Sequence, residues 1–201
     1  ALNHTYKGYA GDSTPITNAV ARTLQRRLDD YVSVKDFGAV GDDSTADVTA
    51  IQNALDDIYK AGDKDDTRSR RVLFFPAGIY RINASLKIPP YAHLVGEGPD
   101  KTIIRNSGNN AVAVTMDDEG AVGTNIGGSS ATTPTQIQIE NITFRNTVAY
   151  GGISIDRATK VYFNNCKFQG SYAQGGADAS TSKGITVQQY GSASFPSTQI
   201  Y

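Results

Sequence analysis

Three consecutive acidic residues, Asp117, Asp118 and Glu119, form the main acidic cluster of the second half of the chain. Hydrolysis of a polysaccharide needs two carboxyl groups that flank the scissile bond. Lyase chemistry needs a base, often assisted by a cation that neutralises the sugar carboxylate. The cluster directly follows a predicted strand over residues 111–116, where the chain leaves a sheet. It is therefore a candidate catalytic or cation-binding site, and the alternative is the solvated start of a loop.

Two tyrosines, Tyr150 and Tyr172, lie beside glycine-rich segments of the same half. An aromatic ring offers a large rigid surface with a polar tip, which suits contact with a sugar. Both residues are candidates for glycan binding. The alternative is that each ring packs a loop onto the body of the protein.

The overall composition excludes several classes of function. The 201 residues include 19 Lys and Arg against 20 Asp and Glu, a formal net charge of -1. A nucleic-acid-binding protein needs a basic face, so we expect no nucleic acid partner. The chain has only two His and one Cys, so we expect no metal site and no cofactor. No apolar run approaches the roughly 20 residues of a membrane span, so we expect no membrane insertion.

Two segments of the first half have helical periodicity. Residues 47–60 give the clearest pattern, and residues 15–30 give a second, shorter one. In the second pattern four apolar residues recur every four positions: Ile16, Val20, Leu24 and Leu28. The helix over residues 15–30 either packs on its own domain or docks against copies of itself or another partner.

A repeat in the second half predicts the architecture. Asn141 aligns with Asn165 and Phe144 with Phe168, a separation of 24 residues. In each segment the apolar positions are odd before the asparagine and even after it. Because side chains alternate strictly along a strand, one straight strand cannot bury both sets. Asparagine tolerates the left-handed conformation of a tight bend, so two short strands are predicted to meet at each asparagine.

The repeat is typical of a coiled stack of parallel strands. Ile153 and Ile155 supply a third strand, and Ile185 opens the next circuit. We therefore predict a mostly β fold, a single-stranded parallel β-helix with three strands per coil. Three regions are predicted: an attachment or oligomerisation segment (1–30), a capping region with the first coils (31–106), and further coils that we expect to continue past the end (107–201).

Four sequence motifs of the first half resemble a known superfamily. They are Tyr31–Asp42 (YVSVKDFGAVGD), Phe74–Tyr80 (FFPAGIY), Leu94–Gly98 (LVGEG) and the preceding Ala21–Leu28 (ARTLQRRL). The first three resemble the opening of pectate-lyase-like proteins. With the fourth, the arrangement resembles bacteriophage tail spikes and tail fibres.

This resemblance implies a right-handed β-helix whose N-terminal mouth is capped by the helix at residues 47–60. It also implies a homotrimer, attachment of residues 1–30 to a phage tail or baseplate protein, and contact of distal parts with host surface polysaccharide. The protein would then belong to the virion and act outside the cell. The catalytic motifs of the superfamily are absent, so the catalytic residues stay unknown.

Three functional hypotheses remain open. The first is a virion structural and adhesion protein, the N-terminal part of a tail spike or fibre. The second is a polysaccharide depolymerase, a lyase or glycoside hydrolase, with its active site on later coils or between subunits. The third is a secreted pectate-lyase-like enzyme that is not viral.

Overall fold

The computed structural model describes residues 3–4, 22–24, 32–60, 71–108, 110–127, 133–147, 152–170 and 184–188. The chain divides into two compact units, Ala1–Val32 and Ser33–Tyr201. The predicted borders of the three regions stay predictions.

The first unit contains a pair of short strands. Strand β1 (Asn3–His4) pairs antiparallel with β2 (Arg22–Thr23). The prediction of a continuous helix over residues 15–30 is therefore wrong at Arg22 and Thr23. Pairing between strands satisfies backbone groups that a helix would bond internally, and the apolar spacing did not reveal it. Leu24 is helical and exposed, and the other three apolar positions of the pattern lie outside the described residues.

Three parallel sheets make up most of the remaining described structure. The first sheet contains β3 (Val32–Ser33), β5 (Leu73–Phe75), β8 (His93–Gly96), β11 (Thr135–Glu140) and β14 (Thr159–Asn164). The second contains β4 (Asp42–Ala46), β6 (Gly78–Ile82), β9 (Thr102–Asn106), β12 (Thr143–Asn146) and β15 (Lys167–Gln169). The third contains β7 (Leu86–Ile88), β10 (Ala113–Thr115), β13 (Ile153–Asp156) and β16 (Ile185–Gln188). From β5 onward, each circuit of the chain contributes one strand to the first sheet, one to the second and one to the third, in this order.

The predicted alignment of the repeat is confirmed by the strand register. Ile139 of β11 pairs with Phe163 of β14, and Phe144 of β12 stacks on Phe168 of β15 at a centroid distance of 5.7 Å. The inward side chains of successive strands form an apolar interior. Its large, fully buried members include Leu73, Phe75, Tyr80, Ile82, Leu94, Ile104 and Phe144. The mostly β, parallel fold predicted from the sequence is therefore confirmed.

Helix α1 (Val48–Leu55) continues as a π-helical turn over Asp56–Lys60. It buries Ile51, Ala54 and Leu55. Its Gln52 side chain accepts a hydrogen bond from the Lys87 amide at 2.9 Å and donates one to the Lys87 carbonyl at 3.2 Å. Lys87 lies on β7, at the end of the third sheet, so Gln52 makes the bonds that another strand would make. The capping role of α1 stays a prediction.

The helices among the described residues are too short, or too polar, to cross a membrane.

Candidate polysaccharide-binding face

Arginines occupy one register position on three adjacent strands of the second sheet. Arg81 of β6 pairs with Arg105 of β9, and Arg105 pairs with Arg145 of β12. The residues on either side of each arginine along its strand face the interior and are buried: Tyr80, Ile82, Ile104, Asn106, Phe144 and Asn146. Because side chains alternate, the three arginines lie on the outer face of the sheet, where each is partly exposed. We call Arg81, Arg105 and Arg145 the arginine column.

Arg105 forms an ion pair with Asp43 of β4. The Arg105 Nε atom lies 2.6 Å from Asp43 Oδ1, and the terminal guanidinium nitrogen donates to the Asp43 carbonyl at 3.2 Å. The Nε–Oδ1 contact is short, yet neither atom has a partner with hydrogen-bond geometry. We therefore treat it as an ion pair without an aligned hydrogen bond. Asp43 has a φ of 63°, in the left-handed region that Asp adopts more readily than most residues.

Arg145 points to the opposite end of the column. Its Nε donates to the Gln169 side-chain oxygen on β15 at 2.8 Å. Here a shallow depression of about 550 Å³ is lined by Arg145, Asn146, Thr147, Gln169 and Gly170. The described residues of the lining offer a guanidinium, amides and a hydroxyl, and none of them carries a carboxylate. Such groups can bind anions and sugar hydroxyls but supply no carboxylic general acid or base.

Two buried asparagines fix the edge of this face. The side-chain nitrogens of Asn106 and Asn146 both donate to the Asn110 carbonyl, at 2.8 and 2.9 Å. The Asn106 side-chain oxygen accepts from the Gly108 amide at 2.8 Å. Each asparagine directly follows an arginine of the column. The same residues that end strands β9 and β12 therefore hold the adjacent turn in place.

The predicted acidic cluster has a different arrangement. Asp117 is buried, and its carboxylate accepts hydrogen bonds from three backbone amides, those of Glu119 (3.1 Å), Ala121 (2.8 Å) and Gly127 (3.2 Å). Asp118 is partly exposed and Glu119 is exposed. Within the described ranges, no three His, Cys, Asp or Glu side chains are placed to hold a metal ion. The Asp117 carboxylate organises the loop, and a catalytic role of the cluster stays a prediction.

The two predicted glycan-binding residues, Tyr150 and Tyr172, lie outside the described residues.

Two further polar groups lie on the other sheets. His93 Nε2 and Glu140 Oε1 are 3.1 Å apart on the first sheet, with both side chains partly exposed. Asp156 of β13 is buried in the third sheet, and burial raises the pKa of its carboxyl despite a hydrogen bond from the Ser154 hydroxyl. A carboxyl group with a raised pKa can act as a general acid.

Comparison with known proteins finds a family model that matches part of the described sheets. Residues 31–125 match the family model described as rhamnogalacturonase A/epimerase, pectate lyase-like. The matched segment resembles a pectate lyase-like domain. It includes Arg81 and Arg105 of the arginine column, whereas Arg145 lies on a later strand. Mannuronan C5-epimerase AlgE2 of Azotobacter vinelandii is 39% identical over 83 residues, which are 38% of this chain and 8% of that protein.

Solved structures share the fold over more of the chain. ORF18 of Geobacillus virus E2 superposes with a TM-score of 0.56 at 19% identity, covering 78% of this chain and 32% of that one. Tailspike protein 3 of bacteriophage CBA120 gives 0.52 at 18% identity, covering 82% and 25%. At these low identities, the superpositions show that the proteins share a parallel β-helix fold. The chain spans less than a tenth of the epimerase and at most a third of either structure.

The sequence analysis missed the arginine column, although a signal was present. Arg81 precedes Arg105 by the same 24 residues that separate Arg145 from Gln169 and Asn141 from Asn165. The Arg-Asn pairs at 105–106 and 145–146 also match. Between them the circuit is lengthened by the residues around the Asp117 loop, so the constant spacing is lost. Extending the repeat backward from β12 across this loop would have placed the three arginines together.

Proposed function

We propose that this chain is a virion structural and adhesion protein, the N-terminal part of a phage tail spike or tail fibre. In this proposal it joins a β-helical shaft to the tail and adsorbs to host surface polysaccharide. The fold shared with a phage tailspike protein supports the structural part of the proposal. The pectate lyase-like domain and its epimerase relative support a polysaccharide as the partner.

One observation carries the choice of adhesion over cleavage. In the part of the chain that the structure describes, the depression beside Arg145 and Gln169 is lined by cationic, amide and hydroxyl groups and by no carboxylate. Glycoside hydrolysis requires a pair of carboxyl groups at the scissile bond, whereas binding requires only hydrogen-bond partners and complementary charge. The lining of the depression therefore suits retention of a polysaccharide better than its hydrolysis.

The proposal assigns residues 1–30 to attachment or trimerisation and the later coils to the shaft. A homotrimer would present three copies of the arginine column to a repetitive surface polymer. Weak binding at each copy then adds up through the high effective concentration of the linked sites. Light scattering tests this part, with the mass of three chains expected and the mass of one chain contradicting it.

Binding to polysaccharides tests the adhesion role directly. The labelled chain is incubated with a panel of purified bacterial capsular polysaccharides and lipopolysaccharides, and the supernatant is assayed for reducing ends and unsaturated sugars. We expect saturable binding to at least one polymer without release of either product. Absence of binding across a panel that includes the polysaccharide of a strain to which the phage adsorbs would contradict the proposal.

A second candidate function is modification of a polysaccharide by an enzyme of the epimerase and lyase kind. The similarity to AlgE2 and the raised pKa of the Asp156 carboxyl favour it. Conversion of a polymer by the chain, lost in Asp156→Asn and retained in the variant Asp57→Asn at an exposed position, would support this function over adhesion alone. A chain that binds a polymer and leaves it chemically unchanged would contradict it.

A further inference from the structure

We infer that the arginine column binds an anionic polysaccharide, with the polymer running across the strands along the direction in which they stack. This inference rests on the proposed function and goes beyond it by naming the chemical class of the ligand and the residues that select it.

The spacing of the column is the first argument. Neighbouring strands of a sheet lie about 4.8 Å apart. Arg81, Arg105 and Arg145 therefore repeat along the stacking direction at roughly the length of one sugar unit. A polymer with a carboxylate on each sugar can place its charges beside successive guanidinium groups. A neutral polymer gains nothing from this repeat.

The charge balance of the face is the second argument. Among the described ion pairs only the one with Asp43 involves a member of the column, and that member is Arg105. Arg145 donates to the side-chain amide oxygen of Gln169, which is neutral. Like charges on adjacent strands repel one another, so the column is stabilised when an anion is added. The repulsion is relieved most by a ligand that contributes several linked negative charges.

The Asp43 contact shows how a carboxylate is held at this face. Its oxygen lies 2.6 Å from the Arg105 Nε, slightly closer than the roughly 2.7–2.9 Å of a usual charge-assisted contact between nitrogen and oxygen. The Arg105 Nε and Asp43 Oδ1 atoms lack hydrogen-bond alignment, so the attraction between them is mainly that of opposite charges. A ligand carboxylate with free orientation can form the bidentate pair that Asp43 does not form. Asp43 therefore pairs with Arg105 when no ligand is bound, and it competes with the ligand carboxylate for this arginine.

The depression at the end of the column explains why the ligand is a polysaccharide. Beyond Arg145 the surface offers the Gln169 amide and the exposed Thr147 hydroxyl, which match sugar hydroxyls. A nucleic acid would bring more densely spaced charge to a chain whose net charge is -1. The described residues of the lining also include no aromatic side chain on which a base could stack.

Binding of the full chain to mannuronan, a polymer of mannuronate, tests the inference. The comparison polymer is the same mannuronan after chemical reduction of its carboxyl groups, which keeps the chain length and removes the charge. We expect binding to native mannuronan that weakens at high salt, and at least tenfold weaker binding to the reduced polymer, since each charged hydrogen bond lost costs about this factor.

Variants of the column and its competitor make the test specific. Arg81→Gln and Arg145→Gln should each weaken binding to native mannuronan roughly tenfold. Asp43→Asn should strengthen it, because the competing carboxylate is removed while a residue that tolerates a positive φ is kept. Lys87→Gln removes an exposed cation from the third sheet and should leave binding unchanged. Circular dichroism and the unfolding midpoint confirm that each variant is folded.

The possible failures are distinguishable. Equal binding of native and reduced mannuronan, or equal effects of Lys87→Gln and Arg145→Gln, would overturn the inference and leave polysaccharide adhesion standing. Tighter binding of single-stranded DNA than of mannuronan at equal salt would also overturn it. Failure to bind the full polysaccharide panel would contradict the proposed function itself.

Discussion

The side-chain amide of Asn165 donates a hydrogen bond to the side-chain oxygen of Asn141 at 2.8 Å, across two adjacent circuits of the chain. Both residues have a left-handed backbone, with φ of 59° at Asn141 and 50° at Asn165. Each asparagine follows a strand of the first sheet and precedes one of the second. The pair therefore turns the chain at a corner and joins one corner to the next.

Substitution of Asn141 tests the importance of this corner. Asn141→Val places a β-branched residue at a φ of 59°, so we expect a loss of about 1–3 kcal/mol in the free energy of unfolding. Asn141→Gly keeps the backbone conformation and loses only the hydrogen bond, so its loss should be smaller. Urea denaturation measures both. Equal stability of the valine variant and the unmodified chain would show that the corner carries no strain.

Gln52 provides a test of the predicted cap. Gln52→Leu keeps a side chain of similar size but leaves the Lys87 amide and carbonyl of β7 without their partner. We expect a loss of about 1–3 kcal/mol in stability and a greater tendency to aggregate, because an unpaired strand edge is exposed. Asn53→Ala, at the neighbouring exposed position of α1, is the control. Size-exclusion chromatography and urea denaturation of the two variants should differ, and identical behaviour would refute the cap.

Asp117 should behave as a loop organiser. Removal of its carboxylate in Asp117→Ala leaves three backbone amides of residues 119–127 without their acceptor. We expect faster proteolysis within residues 118–127 and a lower unfolding midpoint. Glu119→Gln changes an exposed side chain nearby. The protease should cleave this variant at the same rate as the unmodified chain. A loss of polysaccharide conversion in Asp117→Ala with unchanged proteolysis would instead favour the catalytic role predicted from sequence.

Tyr80 should make the fold sensitive to alkaline pH. Its hydroxyl donates to the Pro76 carbonyl at 2.8 Å, and burial, with smaller contributions from Asp47 and Glu97, raises its pKa from 10.0 to about 12. The unfolded chain ionises this group first. Its contribution to stability is therefore complete below pH 10 and is lost as the pH rises toward about 12.

Tyr80→Phe tests this dependence. The variant loses a hydrogen bond at neutral pH, but its stability should fall less steeply between pH 9 and pH 11. The slope should not vanish, because burial also raises the pKa of Tyr59. Urea midpoints at several pH values give the slopes, and Tyr91→Phe, at a partly exposed tyrosine, is the control. Parallel pH profiles of Tyr80→Phe and the unmodified chain would contradict the prediction.

The sequence was most informative where one interaction repeats. The change of apolar parity at Asn141 and Asn165 predicted the corner, the register and the stacking of Phe144 on Phe168, because each follows from the alternation of side chains. A contact between two residues that are far apart in sequence and occur once leaves no periodic pattern in the sequence. The contact of Asp43 with Arg105 and that of Gln52 with Lys87 join residues that only the winding of the chain brings together.

The pairing of β1 with β2 shows where prediction from local periodicity fails. Apolar residues at every fourth position favoured a helix over residues 15–30, but the backbone groups of Arg22 and Thr23 are paired with those of Asn3 and His4. Local periodicity describes which side chains share a face and does not determine the partner of a short segment.

The most direct test of the account is an experimental structure of the chain with a short anionic oligosaccharide, such as a mannuronate oligomer, at saturating concentration. The account predicts sugar carboxylates beside Arg81, Arg105 and Arg145, and an Arg105 side chain released from Asp43. An oligosaccharide bound on the first or third sheet, with the Arg105–Asp43 ion pair intact, would contradict it.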